Sequence, residues 1–337
     1  MSRLFAAESN LWEQSDAVLQ ALLRENIRTE SSAHLAAGLV DATRRRLIFS
    51  SNSCQADTVF EIGSVSKVFT AFLLADAVAR NEMALDDPID KCLPPSVAVP
   101  SRDGHKISLL HLVQHTSGLP RLPTNLSPRD PANPYRDYSL SQLYAFLSGC
   151  KLSRAPGEQY EYSNLGAGLL GHILARRENS SYEDLVVKRI CQPLGMAQTR
   201  VILTPSMRSR LAVGHDARGT KVSNWDLPTL AGAGGLRSTP GDMTFFLAAC
   251  MGSTNTPLKR VVALTQSQRR PAEGPMEIAL AWHILKKAGT EIWWHNGQTG
   301  GYHSFIGFDP RRKRGVVLLC SAAIDIDPLA IRILTSR

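Results

Sequence analysis

The residues that could do chemistry fall in three short groups. Ser64-Val-Ser-Lys67 sets a hydroxyl and an amine three residues apart. On a helix that spacing puts both side chains on one side. A serine hydroxyl is a weak nucleophile at neutral pH and needs a base beside it. A lysine withdrawn from water gives up its proton more readily and can be that base. The start of a helix adds positive potential, favouring negative charge on Ser64 and a neutral Lys67. The bland reading of the same four residues is a serine capping a helix, with a solvated lysine one turn later. A second copy, Ser148-Gly-Cys-Lys151, runs into Leu-Ser-Arg-Ala-Pro-Gly. That continuation breaks a helix, so this copy reads as surface.

The other two groups are Tyr160-Glu-Tyr162-Ser-Asn164 and His295-Asn-Gly297. They add a phenol, an amide and an imidazole followed by glycine. Each has a structural reading as well. Tyr162 could be a core tyrosine at a helix start, with Asn164 as the cap. Tyr160 could compete for the phenol's role, but no Asn lies at the matching offset. His295 could be a satisfied strand histidine beside Trp293 and Trp294. His111 and His115 stand at i and i+4, a metal-ligand spacing, without an HExxH pattern or a third ligand. Gly232, Gly234 and Gly235 do not complete a phosphate loop and read as a close backbone approach. Nothing here asks for a metal or another cofactor.

In this order the three groups resemble the S-x-x-K, Y-x-N and [K/H]-x-G signatures of the class C β-lactamases and penicillin-binding serine hydrolases. Phe60-Glu-Ile-Gly-Ser-Val-Ser-Lys67, His115-Thr-Ser-Gly-Leu119, Tyr162-Ser-Asn-Leu-Gly166, Pro193-Leu-Gly-Met196 and Gly234-Gly-Leu-Arg-Ser-Thr239 look like further landmarks of that family. The resemblance implies an α/β (α+β) fold, with an antiparallel sheet flanked by helices and an inserted helical domain. It also implies roles. Ser64 would attack the carbonyl, and Lys67 and Tyr162 would form the proton relay, either of them as the base. Asn164 would bond Lys67 and the substrate. His295 would face Tyr162 from a strand edge that also carries Gly297. The oxyanion would rest on the backbone N–H groups of Ser64 and Gln298.

The resemblance implies hydrolysis of an ester or amide bond through an acyl-enzyme. Where class C β-lactamases carry Lys in the third signature, this chain has His295. An imidazole is mostly neutral at pH 7, so the demand for a substrate carboxylate should be weaker. The preceding strand offers Trp282 and His283 but no Arg to clamp a carboxylate. These departures favour a carboxylesterase with possible β-lactamase action. A β-lactamase proper, a DD-peptidase or D-aminopeptidase, and a non-catalytic penicillin-binding or sensor module are the alternatives. The expected partner is a small ester, a β-lactam or a short peptide.

The elements that must position these residues are readable in outline. Helices are expected over Leu11 to Asn26, and from Ser64 onward, where Val65, Val68, Phe69, Phe72 and Leu73 share one face. Strands are expected at His34 to Val40, Arg46 to Ser50 and Thr58 to Phe60. From Asp86 to about Asn224 the pattern is helices and long loops, including Leu140 to Leu147, Leu165 to Arg177 and Tyr182 to Cys191. A helix near Gly241 to Met251 follows. Strands return at Glu277 to Leu285, Glu291 to His295, Tyr302 to Phe308 and Val316 to Cys320, and Ala330 to Leu334 closes as a helix. The expectation is a sheet domain built from 1–85 and 225–337, with a helical domain, 86–224, inserted and the site in the cleft between.

Composition excludes several other classes. With 337 residues, 43% of them hydrophobic and 20% charged, the chain is globular. The net charge of +8 is concentrated in runs such as Arg44-Arg45-Arg46 and Arg311-Arg312-Lys313-Arg314. These runs lie at strand ends without interleaved aromatics, so they read as solvated turns and not as a nucleic-acid surface. The six cysteines are scattered without a CxxC pair and read as small buried residues. No stretch is apolar enough for a membrane span. Met1 to Glu13 has no apolar leader core. The chain as it stands reads as cytoplasmic, or as periplasmic or secreted if a leader has been removed. Oligomeric state is left open.

Overall fold

The structure, a computed structural model, describes residues 10–27, 33–287 and 289–336. Most of Met1 to Glu13, the stretch read for a leader, lies outside the described residues.

The two ends of the chain build one antiparallel sheet. Asp41 turns the first hairpin, its Oδ1 accepting from the amides of Thr43 at 2.8 Å and Arg44 at 2.9 Å. The hairpin strands are Leu35–Val40 and Arg45–Phe49. Leu35–Val40 pairs with the late strand Arg314–Cys320, so sequence-distant segments become neighbours. From the first hairpin the sheet continues through Arg314–Cys320, His303–Asp309, Thr290–Gln298, His283–Lys287 and Met276–Ile278 to Arg270–Pro271, eight strands in all.

Each face of the sheet is covered because its side chains alternate between two apolar layers. On the outer face, the helices Asp16–Asn26 and Asp327–Thr335 bury Leu19, Leu23, Ile333 and Leu334 against Val316 and Leu318. The first helix begins later than its apolar pattern suggests, because the Ser15 hydroxyl accepts from Val18 N and caps it there. On the inner face lie Ser66–Ala79 and Pro240–Cys250. Phe69 stacks on Phe246 with ring centroids 4.1 Å apart. Burial of such a ring contributes about 1.5–3 kcal/mol. The same core continues without a break into Leu112, Leu165 and Leu169 of the helical middle.

Four elements depart from expectation. The Ser66–Ala79 helix does not have one apolar face and one wet one. Every residue from Ser66 to Ala75 is buried, since sheet and helices enclose it on all sides. The run Glu277 to Leu285 is not one strand: Ala279 N bonds Trp282 O, and Ala281 takes φ +59°, making a turn between Met276–Ile278 and His283–Lys287. The short strand expected at Thr58 to Phe60 is Phe60–Glu61, paired with Arg237–Ser238. Helix Lys259–Thr265 was not foreseen. All six cysteines are free, and four of them are buried. Among the described residues no helix is long and apolar enough to cross a membrane.

Candidate active site

Ser64 lies in a 3-10 turn, Gly63–Val65, that leads into the buried Ser66–Ala79 helix. The turn needs a glycine first, because Gly63 has φ +47°. It also needs glycine on the facing strand. A Cβ on Gly297 would collide with the Ile62 carbonyl and stand 2.8 Å from Ser64 N. A Cβ on Gly63 would stand 2.8 Å from Gln298 N. The two glycines thus let the Ser64 turn and the Thr290–Gln298 strand touch backbone to backbone, with the amides of Ser64 and Gln298 at the contact. Ser304 on the next strand donates to Ile62 O at 2.7 Å and ties the turn to the sheet. Ser64 does not cap the helix: no side-chain cap bond is made at its start.

Lys67 is 1% exposed. Its Nζ lies 2.8 Å from Ser64 Oγ, 2.8 Å from Asn164 Oδ1 and 2.6 Å from Ala233 O. Burial holds its pKa well below the ordinary lysine range, and the Arg121 charge adds to the effect. A neutral amine has two N–H bonds and one lone pair. The oxygens of Asn164 and Ala233 can only accept, so they take the two N–H bonds. The lone pair is left for Ser64.

Asn164 is available for this contact because its neighbour does the capping. Ser163 Oγ accepts from Gly166 N at 2.9 Å and opens the helix Asn164–Arg177. The cap reading of Asn164 is therefore replaced by Ser163. Asn164 Nδ2 donates to Tyr135 Oη at 3.4 Å, which orients its oxygen toward Lys67. Tyr162 precedes the cap. Its ring centroid lies 4.9 Å from Lys67 Nζ, and Ser64 is a hydrogen-bonding neighbour of its phenol. Burial pushes the phenol up to about 12, so it keeps its proton near neutral pH. Tyr160 points elsewhere, its Oη 2.9 Å from His283 Nε2.

His295 is fully buried on the Thr290–Gln298 strand, with its ring centroid 6.3 Å from that of Tyr162. Its Nδ1 lies 2.6 Å from Asn296 O, which only accepts, so the ring proton sits on Nδ1. Nε2 is buried without a hydrogen-bond partner among the described residues. Burial, then His283 and Lys67, keep this imidazole neutral. Gly297 and Gln298 follow it along the same strand. Trp282 and Trp293 are core residues packed on Phe308 and do not shape the site. His111 and His115 do not form a ligand pair. His111 closes a capping box with Ser108, and His115 Nδ1 accepts from Ser163 N.

The structure therefore brings Ser64, Lys67, Tyr162, Asn164, His295, Gly297 and Gln298 into one place. It adds residues that the sequence reading did not assign. The Ala233 carbonyl comes from the glycine-rich stretch, whose short helix Ala231–Gly234 packs closely on its neighbours. A backbone oxygen has no signature in a sequence. The His115 ring lies 4.5 Å from that of Tyr162, tilted by 36°, and His283 packs 5.1 Å from His295. Arg121 sets its guanidinium carbon 5.0 Å from the Tyr162 ring centroid.

With this geometry in view, the comparisons with known proteins are direct. The family model described as Beta-lactamase matches residues 23–332. The D-alanyl-D-alanine-carboxypeptidase/endopeptidase AmpH of Escherichia coli K12 is 36% identical over 201 residues, 59% of this chain and 50% of AmpH. The chain thus spans half the length of that relative. A β-lactamase of Escherichia coli K12 is 30% identical over 299 residues, covering 78% of this chain and 75% of that one. Among solved structures, a class C β-lactamase superposes with a TM-score of 0.82 at 22% identity, covering 100% of this chain and 99% of the other. A D-alanine carboxypeptidase AmpC from Burkholderia cenocepacia superposes at 0.79 and 25% identity, covering 96% and 98%. The fold expected from the resemblance is the one observed, and the chain belongs to the Beta-lactamase family of serine hydrolases.

Proposed function

We propose that the protein hydrolyses an ester or small amide bond through an acyl-enzyme on Ser64, with neutral Lys67 as the base. The observation that carries this reading is the Lys67 amine, whose two obligate acceptors, Asn164 Oδ1 and Ala233 O, leave its lone pair for Ser64 Oγ 2.8 Å away. In the first step Lys67 takes the Ser64 proton as Oγ bonds to the substrate carbonyl carbon. The oxyanion that forms meets the amides of Ser64 and Gln298. Donors placed this way are worth several kcal/mol, about 2.7–4 for one of them. The leaving group then departs with the Tyr162 phenol proton, and the proton held on Lys67 returns to Tyr162. Water opens the acyl-enzyme by the reverse route. It gives one proton to the relay, and Ser64 leaves with one.

A neutral, buried His295 supports carbonyl substrates that do not depend on a charge at that place, which favours carboxylesterase action. The second reading is hydrolysis of a β-lactam or a D-alanyl peptide. It is supported by the names of the relatives AmpH and β-lactamase. Parallel kinetics with a short-chain p-nitrophenyl ester, a chromogenic cephalosporin and a D-alanyl-D-alanine peptide decide between the two. The esterase reading expects the highest kcat/KM on the ester. A higher value on the cephalosporin or the peptide overturns it.

A further inference from the structure

The basic groups around Ser64 are unequal in charge. Lys67, His115, His283 and His295 are buried, and burial holds each toward its neutral form. Arg121 differs from them. It is exposed, and a guanidinium keeps its charge at any ordinary pH.

Its position is fixed from the backbone. Arg121 O accepts from Asn164 N at 3.0 Å and from Leu165 N at 3.2 Å, the first turn of the helix that carries Asn164. The loop is further stiffened by Pro120 and Pro123 on either side. Its guanidinium lies over the Tyr162 ring. A guanidinium in such a contact still carries its N–H fork. Among the described residues Arg121 makes no ion pair. Glu161, next to Tyr162, holds Arg154 at 2.9 Å. The exposed Glu273 acts on Tyr160 through its charge. A planar fork of this kind matches a carboxylate with two parallel hydrogen bonds. An arginine over the Tyr162 ring, with no ion pair among the described residues, is thus a ready receptor for an anionic group entering with the substrate.

We propose that Arg121 is a specificity-determining residue that selects substrates bearing a carboxylate, by pairing its guanidinium with that group at the mouth of the Ser64 site. This rests on the reading of Ser64 as the nucleophile. Charge recognition has moved from the strand, where His295 is neutral, to the loop that follows His115-Thr-Ser-Gly. The absence of an arginine on the strand before His295 is real, but the chain supplies one from another direction.

The test uses three esters of one acyl length: p-nitrophenyl butyrate, the mono-p-nitrophenyl ester of succinate, and 3-carboxy-4-nitrophenyl butyrate. The second carries a carboxylate on the acyl side and the third on the leaving side. The readout is the ratio of kcat/KM for each acid to that for the neutral ester, so a general loss of activity cancels. The wild type should favour one of the acids by about tenfold. Arg121→Met should bring that ratio close to one, and Arg121→Lys should keep part of it. A wild-type ratio near one, or a ratio unchanged in Arg121→Met, overturns the assignment. Calorimetric titration of Ser64→Ala protein with the same esters, with and without Arg121→Met, reads the preference as binding. Absence of turnover then counts against the hydrolase reading alone, and the binding ratio still decides on Arg121.

Discussion

The Lys67 amine stands 2.8 Å from the Ser64 hydroxyl, and its other two contacts, Asn164 Oδ1 and Ala233 O, are atoms that can only accept. The same lysine is buried and held well below its usual pKa. Burial and hydrogen-bond valence therefore agree on a neutral amine with its lone pair facing the serine. Tyr162 has been pushed the other way, toward a phenol that keeps its proton. The relay proposed above accordingly takes Lys67 as its base and Tyr162 as its acid.

Removal of the amine should cost most of the activity. Lys67→Met is expected to lower kcat/KM on a p-nitrophenyl ester by about 10²–10⁴-fold. The pH profile tests the assignment more sharply. Because the free base is the active form, kcat/KM should rise as pH rises through the depressed Lys67 pKa. Asn164→Asp places a negative charge beside the amine and favours its protonated form. The acidic limb of the profile should then shift to higher pH, whereas Asn164→Ala adds no such charge. An unshifted limb in Asn164→Asp would move the titration away from Lys67.

The two tyrosines of Tyr160-Glu-Tyr162 should separate cleanly. Tyr162→Phe removes the phenol beside Ser64 and should reduce kcat by about 10²–10⁴-fold. Tyr160→Phe only breaks the bond to His283 and should change kcat by less than about tenfold, in line with the loss of one hydrogen bond. Steady-state kinetics on one ester suffices, and equal losses would contradict the geometry.

Gly297→Ala tests the backbone contact. The added methyl must enter the space between Ile62 O, Ser304 Oγ and Ser64 N. Overpacking of this kind costs about 1–3 kcal/mol. Urea unfolding should show that loss, together with a fall in kcat as the Ser64 amide is displaced. A variant as stable and as active as the wild type would mean the strand and the turn are not in contact.

The buried imidazoles should make the fold sensitive to acid. His283 has a pKa lowered to about 4, chiefly by burial and then by Lys67. The unfolded chain takes up a proton near pH 6.5, while the folded one does so only near 4. Stability therefore falls as pH drops from about 6.5 to about 4 and levels off below, by at most about 3 kcal/mol for this group. His115 and His295 act in the same direction. Urea midpoints at pH 7.5 and 4.5 measure the effect, and His283→Gln should reduce the difference between them. Equal midpoints in the wild type would speak against buried neutral imidazoles.

Much of this arrangement is legible in the amino-acid sequence. The Ser64–Lys67 spacing announced its chemistry because a strand-like segment preceded it and an apolar helix followed. Its second copy at Ser148 and Lys151 is exposed at a helix end, as the Pro and Gly after it suggested. The strands near the C-terminus were visible as short apolar runs at hairpin spacing. Other features depended on tertiary context. The central helix is apolar all round, so periodicity suggested a face where none exists. The run from Glu277 to Leu285 hid a turn, because Ala279 to Trp282 are as apolar as the strands they join. Asn164 looked like a cap until the neighbouring Ser163 took that task. The Ala233 carbonyl has no side-chain signal at all. Arg121 sits in a proline-rich loop whose path is set by its bonds to the Asn164–Arg177 helix, and no local pattern reveals where such a side chain ends.

The most direct test of the central claim is intact-protein mass spectrometry of samples quenched within seconds of mixing with an ester or a β-lactam, followed by peptide mapping. The account predicts a mass increase of one acyl group on the peptide that contains Ser64, and no increase in Ser64→Ala protein with unchanged circular dichroism. An adduct on another residue, or one that survives in Ser64→Ala, would contradict it.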